Sequence, residues 1–174
     1  QLHIGAERWT STRLRRISGP AGGYAGIGNS CCLRAVCDFL DGLDADGLMP
    51  KTILYTLNPS DNAMLATLTG SFSESGVQKL QFGPAWWYND HECGIRDNLD
   101  ALGSYSLMSM SLGMTTDSRT ILSFSRHDYF RRILCDYIGN RVERGELPAD
   151  MEFLGGVVTG ISYRNADKWI YGNE

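Results

Sequence analysis

Histidine is scarce in this chain of 174 residues, and the histidines present, His3, His91 and His127, lie far apart. The sequence has neither a His-x-His nor a Cys-x-x-Cys pair, so no local motif for a structural zinc site is complete. The cysteines number 5, an odd count. We expect them to be buried, reduced thiols, as is typical of a cytoplasmic protein.

Long apolar runs and an excess of positive charge are also missing. No uninterrupted apolar stretch approaches the roughly 20 residues that a membrane-spanning helix needs. Residues 1–5 lack the basic and apolar regions of a signal peptide. The formal net charge of -4 argues against nucleic-acid binding. We therefore expect no membrane and no nucleic-acid partner. The chain does not begin with Met, which suggests a piece of a longer protein.

Strand and helix patterns alternate along the chain. Strands are predicted at 1–5, 52–57, 77–82 and about 108–114. Helices are predicted from Ser30, from Asn58, from about His91 and from about Phe124, with a last helix after Pro148. Residues 6–28 are polar and rich in glycine, and we expect a long loop there.

This alternation predicts an α/β fold in which helices cover parallel strands. Four β-α units and a C-terminal helix, within one domain over residues 1–174, amount to half of a (β/α)₈ barrel. A small open α/β sheet is the alternative. No glycine-rich phosphate loop follows the first strand, so a nucleotide-binding version of that sheet is not favoured.

The side chains best suited to catalysis or ligand binding lie at the carboxyl ends of the predicted strands. Barrel enzymes carry their active sites at this end. They are His3, Asn58, Trp86, Trp87, Asp117 and Arg119. A carboxylate such as Asp117 can bind a metal or move a proton, and Arg119 can bind a sugar acid through two parallel hydrogen bonds. The same Asp-x-Arg pattern also suits a helix N-cap followed by a solvated arginine.

His3 and the tryptophan pair each allow a structural and a functional interpretation. Strand alternation directs His3 to the face opposite Leu2 and Ile4, where it is either a core histidine or a site residue. Trp86 and Trp87 are adjacent and cannot both point the same way. One of them can line a pocket, where an indole suits the C–H face of a sugar, or both can belong to the core.

A basic cluster lies at the start of the predicted fourth helix. It consists of Arg126, His127, Arg131 and Arg132. Positive charge there is unfavourable with the helix dipole unless it is paired, and Asp128 is spaced to pair with Arg132. We expect a solvated face or salt bridges between subunits rather than catalysis.

Several blocks of sequence together resemble the uronate isomerase (glucuronate isomerase) family, a divergent branch of the amidohydrolase superfamily. The blocks are 2–6, 50–59, 81–87, 113–119 and 126–135. They include Leu-His-Ile-Gly-Ala, Leu-Asn-Pro, Trp-Trp, Thr-Asp-Ser-Arg and Tyr-Phe-Arg-Arg-Ile-Leu-Cys. They occur in the family's order and cover nearly the whole chain.

The resemblance implies the C-terminal half of a TIM barrel that interconverts aldo- and keto-uronates through a cis-enediol, in glucuronate catabolism. Its substrates would be hexuronates such as D-glucuronate and D-galacturonate, and its cofactor a divalent metal, usually zinc. It implies that Asp117 is a metal ligand and takes part in catalysis. Arg119 would be catalytic and bind substrate, and His3 and Trp86 would bind substrate.

The chain departs from the family pattern at two points. The His-x-His pair that supplies the family's other metal ligands is absent, which fits a chain that corresponds to the C-terminal half. The family's acidic, serine-containing motif is replaced by residues 23–27, Gly-Tyr-Ala-Gly-Ile. We therefore expect a homo-oligomer or a separate N-terminal half. The alternatives are a non-catalytic fragment, a half-barrel that needs a partner for activity and, less favoured, a hydrolase of the same superfamily.

Overall fold

Apolar and β-branched residues form the central strand of a parallel sheet. In the computed structural model, which describes residues 1–20, 22, 24–74 and 77–172, this sheet has the strand order β1 (Leu2–Ile4), β4 (Thr52–Thr56), β7 (Leu80–Phe82). Every residue of β4 is buried, as expected for a parallel strand that is covered on both faces. The predicted α/β class is confirmed.

Helices α2 (Leu33–Asp44), α3 (Asn62–Ser71) and α4 (Glu92–Tyr105) cover one side of this sheet. The apolar residues of these helices pack against the strand residues whose side chains point toward the helices. This first cluster contains Leu40, Met49, Leu54, Leu65, Ala66, Leu68, Leu80, Phe82, Ala101 and Leu102. Leu2 packs against it.

The opposite side of the sheet carries a second cluster. It contains Ile53, Tyr55, Leu57, Trp86 and Leu112, with Ala6, Trp87 and Trp169 packed against it. The alternation of side chains along β1 and β4 therefore sends His3 and Tyr55 to this second side and Leu2 and Leu54 to the first.

The loop predicted at 6–28 is ordered into local structure. Strand β2 (Ala6–Arg8) pairs antiparallel with β3 (Ala25–Ile27), and helix α1 (Thr12–Ser18) lies between them. The prediction missed these elements because their strands are three residues long and their residues alternate weakly. Ala21 and Gly23 lie outside the described residues.

The predicted third strand divides into two. Strand β6 (Val77–Gln78) pairs antiparallel with β5 (Ser73–Glu74), and only β7 joins the main sheet.

The predicted fourth strand is wrong. Met108–Met110 forms a 3₁₀ turn, and residues 111–118 are in neither a strand nor a helix. Gly113 adopts a left-handed conformation with φ 71°, which interrupts an extended run. A Cβ at this position would lie 2.2 Å from the carbonyl oxygen of Ile161, so close packing on the C-terminal helices sets the path of this segment. Within the described residues, the parallel sheet therefore has three strands rather than four.

The later helices form a third packing unit. Helix α5 (Ser125–Glu143) follows a 3₁₀ turn at Ile121–Phe124 and begins one residue after the predicted start. The apolar side chains that recur along it at helical spacing are buried, namely Phe130, Ile133, Leu134, Tyr137 and Ile138. The predicted last helix is α6 (Met151–Thr159) and α7 (Asn165–Tyr171), joined by a π-helical turn at Gly160–Arg164.

Helix α7 anchors two parts of the second side of the sheet. The side-chain amide of Asn165 donates to the carbonyl oxygens of Ser109 and Ser111, both at 2.8 Å. The indole of Trp169 donates to the carbonyl of Gln78 at 2.6 Å, and Lys51 donates to the carbonyl of Trp169. The C-terminal helices thus fix the segment that leads to Asp117.

Throughout the described ranges, no helix has both the length and the apolar character needed to cross a bilayer. All the cysteines are free, but none is fully buried. Cys31 and Cys37 are half-buried, and Cys32, Cys93 and Cys135 are exposed, so the prediction of buried thiols is wrong. Cys93 and Cys135 lie on the solvent-facing sides of α4 and α5.

Candidate functional site

His3 lies against an aromatic wall on the second side of the sheet. Its ring stacks on Tyr55 with a centroid distance of 4.6 Å and an interplanar angle of 4°. The indole of Trp86 meets the same imidazole in an edge-to-face arrangement, with the ring centroids 4.5 Å apart. Both contacts follow from the pairing of β1 with β4, which places His3 opposite Tyr55.

Two hydrogen-bond donors in this wall have no partner. Trp86 is 4% exposed and Tyr55 is 1% exposed. Neither the indole N–H of Trp86 nor the hydroxyl of Tyr55 makes a hydrogen bond of normal geometry within the described part of the chain. Since buried polar groups are nearly always paired, unpaired donors of this kind mark a place where an acceptor is expected.

Asp117 approaches this wall from the segment that follows Gly113. It is exposed and left-handed, with φ 46°, an uncommon conformation for a residue other than glycine and one found often at functional sites. Its negative charge acts on both His3 and Tyr55. The structure therefore brings Asp117 within electrostatic range of His3.

Hydroxyl groups shape the turn that carries Asp117. Thr116 Oγ1 accepts from the backbone N–H of Ser118 at 3.4 Å, and Ser118 Oγ accepts from the N–H of Thr120 at 3.2 Å. Ser118 and Ser123 also share a hydrogen bond between their hydroxyls. Arg119 projects from this turn, is exposed, and forms no ion pair with any described residue. It is available to an anion, but the structure does not place it against His3.

The surroundings of His3 shift its pKa in opposite directions. Partial burial lowers the pKa of His3, the charge of Asp117 raises it, and the N-terminal amino group and Arg8 lower it; the net result is a lowered pKa. The imidazole is thus favoured in its neutral form, which can accept a proton.

Two site residues, Tyr55 and Arg8, were missed at the level of sequence. Tyr55 was identified only as a strand residue, although its position in the alternation of β4 predicts the same face as Ile53. Arg8 was assigned to a polar loop. Its guanidinium lies over the Trp87 ring, 5.2 Å from the centroid, and Trp87 in turn stacks on Tyr88 at 4.9 Å.

Asn58 caps the helical segment that was predicted to begin there. Its side-chain oxygen accepts from the N–H of Ser60 at 3.0 Å, and its amide donates to the carbonyl of Gly28 at 3.0 Å. It therefore caps the 3₁₀ turn at Pro59–Asp61 and ties it to the segment after β3.

The arginines of the basic cluster on α5 are paired, and the pair of Arg132 with Asp128 is the one that the spacing predicts. Arg132 bonds Asp128 at 2.8 Å on the exposed face. Arg126 instead contacts Asp90, through Nε at 3.0 Å to Oδ2 and Nη2 at 2.5 Å to Oδ1. This pair joins α5 to the loop after Trp87 and lies outside the aromatic wall.

The residues present do not fit a complete metal site. A catalytic zinc takes three protein ligands, and in the described ranges no group of three His, Cys, Asp or Glu side chains is placed to hold an ion. Any metal at the candidate site would need further ligands from outside the described residues.

The chain is similar to known proteins along nearly its whole length. A family model described as glucuronate isomerase matches residues 1–170. The chain is 48% identical over 171 residues to a uronate isomerase of Caldanaerobacter subterraneus, and 48% identical over 167 residues to a uronate isomerase of Bacillus licheniformis. These alignments cover 98% and 95% of the chain.

Solved structures show the same relationship. A uronate isomerase from Thermotoga maritima superposes with a TM-score of 0.85 at 32% identity, over 97% of this chain and 36% of that one. A glucuronate isomerase from Caulobacter crescentus gives a TM-score of 0.81 at 21% identity, which speaks for the fold alone. The chain spans 37% and 35% of the length of the two curated relatives.

Proposed function

This chain belongs to the glucuronate isomerase family, and on that premise we propose that it supplies part of the active site of an aldose–ketose isomerase acting on hexuronates. D-Glucuronate, converted to D-fructuronate, and D-galacturonate are the substrates we expect. The observation that carries the proposal is the convergence of His3, Trp86 and Asp117 at one sheet face, with the unpaired indole N–H of Trp86 among them.

The chemistry requires a proton to leave C2 of the aldose and return to C1. Removal of the C2 proton leaves the negative charge on O1 of a cis-enediol in its monoanionic form. Transfer of the O2 proton to O1 and return of the abstracted proton to C1 complete the ketose. We assign the proton transfer to Asp117, with the neutral imidazole of His3 as a second acceptor. Arg119 would bind the sugar-acid carboxylate with two parallel hydrogen bonds, and Trp86 would face the ring and donate its indole N–H. The reaction is an internal redox exchange and needs no redox cofactor.

Asp117 would also be this chain's contribution to a divalent-metal site, which we expect to hold zinc. The other ligands of that site are not among the described residues.

We further propose that the parallel sheet is one arc of a (β/α)₈ barrel and that residues 1–174 form its C-terminal half as a single folding unit. Asn173 and Glu174 lie outside the described residues. The match of 97% of this chain to 36% of a solved uronate isomerase supports this assignment. A homo-oligomer or an N-terminal half would complete the barrel, and a cytoplasmic location stays a prediction of the sequence.

The test is an isomerase assay with D-glucuronate and D-galacturonate in the presence of zinc. Asp117→Asn should abolish ketose formation, and Arg119→Lys should weaken substrate binding, because lysine cannot form two parallel hydrogen bonds to a carboxylate. Asp128→Asn, an exposed acid on α5, is the matched control and should leave turnover unchanged. A chain that neither turns over nor binds any hexuronate would favour the alternative, a non-catalytic piece that needs a partner for activity.

A further inference from the structure

The guanidinium of Arg8 lies at the edge of the aromatic wall and has no part in the proposed reaction. It lies over the Trp87 ring, 5.2 Å from the centroid. Trp87 in turn meets Trp86 with the ring centroids 5.5 Å apart, and Trp86 meets His3 at 4.5 Å. An unbroken series of ring contacts therefore connects Arg8 to the imidazole.

A second set of contacts fixes the backbone of Arg8 relative to these tryptophans. In the antiparallel pairing of β2 with β3, Arg8 lies opposite Ala25. The carbonyl oxygen of Ala25 accepts a hydrogen bond from the hydroxyl of Tyr88 at 2.8 Å, and the Tyr88 ring stacks on Trp87 with the centroids 4.9 Å apart. The strand pair that carries Arg8 and the segment that carries Trp87 are thus fastened to each other.

The backbone of Trp87 is itself unusual. It is left-handed, with φ 52°, which is uncommon for a bulky residue. Such a conformation persists where the surrounding structure maintains it, and it is found often at ligand sites. The ring contacts with Tyr88, Trp86 and Arg8 are the surroundings that hold Trp87 in this conformation.

The N–H groups of Arg8 are available to a ligand. The residue is exposed, and its side chain forms no hydrogen bond or ion pair with any described residue. An arginine that stacks on an indole keeps the planar edge of its N–H donors free. This edge matches the two oxygens of a carboxylate, and the guanidinium stays charged at any pH at which the chain is folded.

The shape of the substrate requires a carboxylate-binding group at some distance from His3. A hexuronate exchanges its proton at C1 and C2 but carries its carboxylate at C6, at the other end of the carbon chain. A sugar that places C1 and C2 beside His3 therefore extends past Trp86. The next groups in the series of ring contacts are Trp87 and the guanidinium of Arg8.

We propose that Arg8 is a further substrate-binding residue, which binds the carboxylate of the sugar acid together with Arg119 and so selects sugar acids over neutral sugars. The inference rests on the proposed function for the identity of the substrate. Arg8 contacts the carboxylate and not the reacting carbons, so it contributes to substrate binding and not to proton transfer.

The test uses the whole chain with Arg8→Gln, which removes the charge, and Arg8→Lys, which keeps the charge but loses the planar fork of donors. Arg16→Gln is the matched control, because Arg16 is an exposed arginine on the neighbouring helix α1. Thermal unfolding first establishes that each variant folds. NMR resonances of the Arg8 Nε–H and the Trp87 indole N–H then report the binding of acetate, D-glucuronate and neutral D-glucose.

We expect acetate to shift both resonances in the wild type and in Arg16→Gln, and to leave the Trp87 resonance in place in Arg8→Gln. D-Glucuronate affinity should weaken about tenfold or more in Arg8→Gln, as for loss of a hydrogen bond to a charged group, and less in Arg8→Lys. The response to D-glucose should be the same in every variant, because this sugar has no carboxylate.

Two results would overturn the proposal: an Arg8 resonance that neither acetate nor D-glucuronate shifts in the wild type, or equal affinity of the wild type and Arg8→Gln for D-glucuronate. Acetate binding at Arg8 in a chain that binds no hexuronate would contradict the proposed function, and it would support Arg8 as a carboxylate-binding residue. The failure of one proposal is therefore distinguishable from the failure of the other.

Discussion

The imidazole of His3 and the phenol ring of Tyr55 are stacked face to face, with centroids 4.6 Å apart and planes within 4° of parallel. This contact joins neighbouring strands on the side of the sheet that Asp117 approaches. It fixes the plane of the imidazole, so the charge of Asp117 acts on a ring of defined orientation.

The first prediction concerns the titration of His3. Asp117→Asn removes a negative charge that favours the protonated imidazole, so the pKa of His3 should fall further below its ordinary value of 6.5. NMR titration of the His3 ring protons measures the midpoint. Asp128→Asn, on the exposed face of α5, should leave it in place. An unchanged midpoint in Asp117→Asn would contradict the electrostatic link between the two residues.

The same lowered pKa sets the sign of a stability effect. The unfolded chain binds a proton at His3 before the folded chain does as the pH falls through about 6.5. His3 therefore disfavours folding below that pH and has no such effect above it. His3→Phe should reduce the loss of stability on acidification. Urea unfolding at about pH 5 and about pH 8, on either side of the histidine range, would reveal a smaller difference in stability than in the wild type.

A second prediction concerns Asp61, which is fully buried. Its carboxylate accepts from the hydroxyl of Ser30, from the N–H of Cys31 at 3.1 Å and from Thr56 Oγ1 at 3.2 Å. Asp61→Asn replaces one acceptor oxygen with a donor and should lower the free energy of unfolding by roughly 2 kcal/mol. Urea unfolding measures the loss. Asp38→Asn, which breaks an exposed pair with Arg34, should change it much less, and an equal effect would refute the structural role of Asp61.

Local sequence patterns correctly predicted the strands and helices whose formation depends mainly on the burial of apolar side chains. The apolar run of β4 and the helical spacing of Phe130, Leu134 and Ile138 in α5 predict buried residues, and these residues are buried. The hydrophobic effect acts on each of these side chains whatever the details of its neighbours, so periodicity is sufficient there.

The features that the sequence did not predict depend on contacts between distant residues. Residues 108–114 have a strand-like composition, but Gly113 adopts a left-handed conformation. It packs closely against Ile161, which lies 48 residues later in the sequence. Tyr55 joins the site through its register with His3, which no local pattern specifies. Asp117 and Arg119 were recognised by their order within a family motif, and the structure brings only Asp117 near His3.

The third prediction contrasts two glycines. Gly113→Ala would place a Cβ 2.2 Å from the carbonyl oxygen of Ile161 at a φ of 71°, so it should destabilise the chain by about 2 kcal/mol or more. Gly139 lies within α5, and a Cβ there meets nothing within 4 Å. Gly139→Ala should therefore stabilise the chain by about 0.5–1 kcal/mol. Thermal unfolding of both variants should show the two changes in stability with opposite signs. If Gly113→Ala is as stable as the wild type, the C-terminal helices do not constrain this segment.

The last prediction concerns the arginine that joins α5 to the loop after Trp87. Arg126 contacts both carboxylate oxygens of Asp90, and its Nη2 also donates to the Asp90 carbonyl at 2.6 Å. The carboxylate is 15% exposed, so little water replaces these bonds. Arg126→Lys keeps the charge but cannot reproduce the planar arrangement of donors, and we expect a loss of about 1 kcal/mol in chemical unfolding. Arg132→Lys alters a pair on the exposed face, where solvent competes, and should have little effect. If the two substitutions cost the same, the Arg126–Asp90 contact does not fasten this loop, and Trp86 must be held by its packing with Ile53, Tyr55 and Leu112 alone.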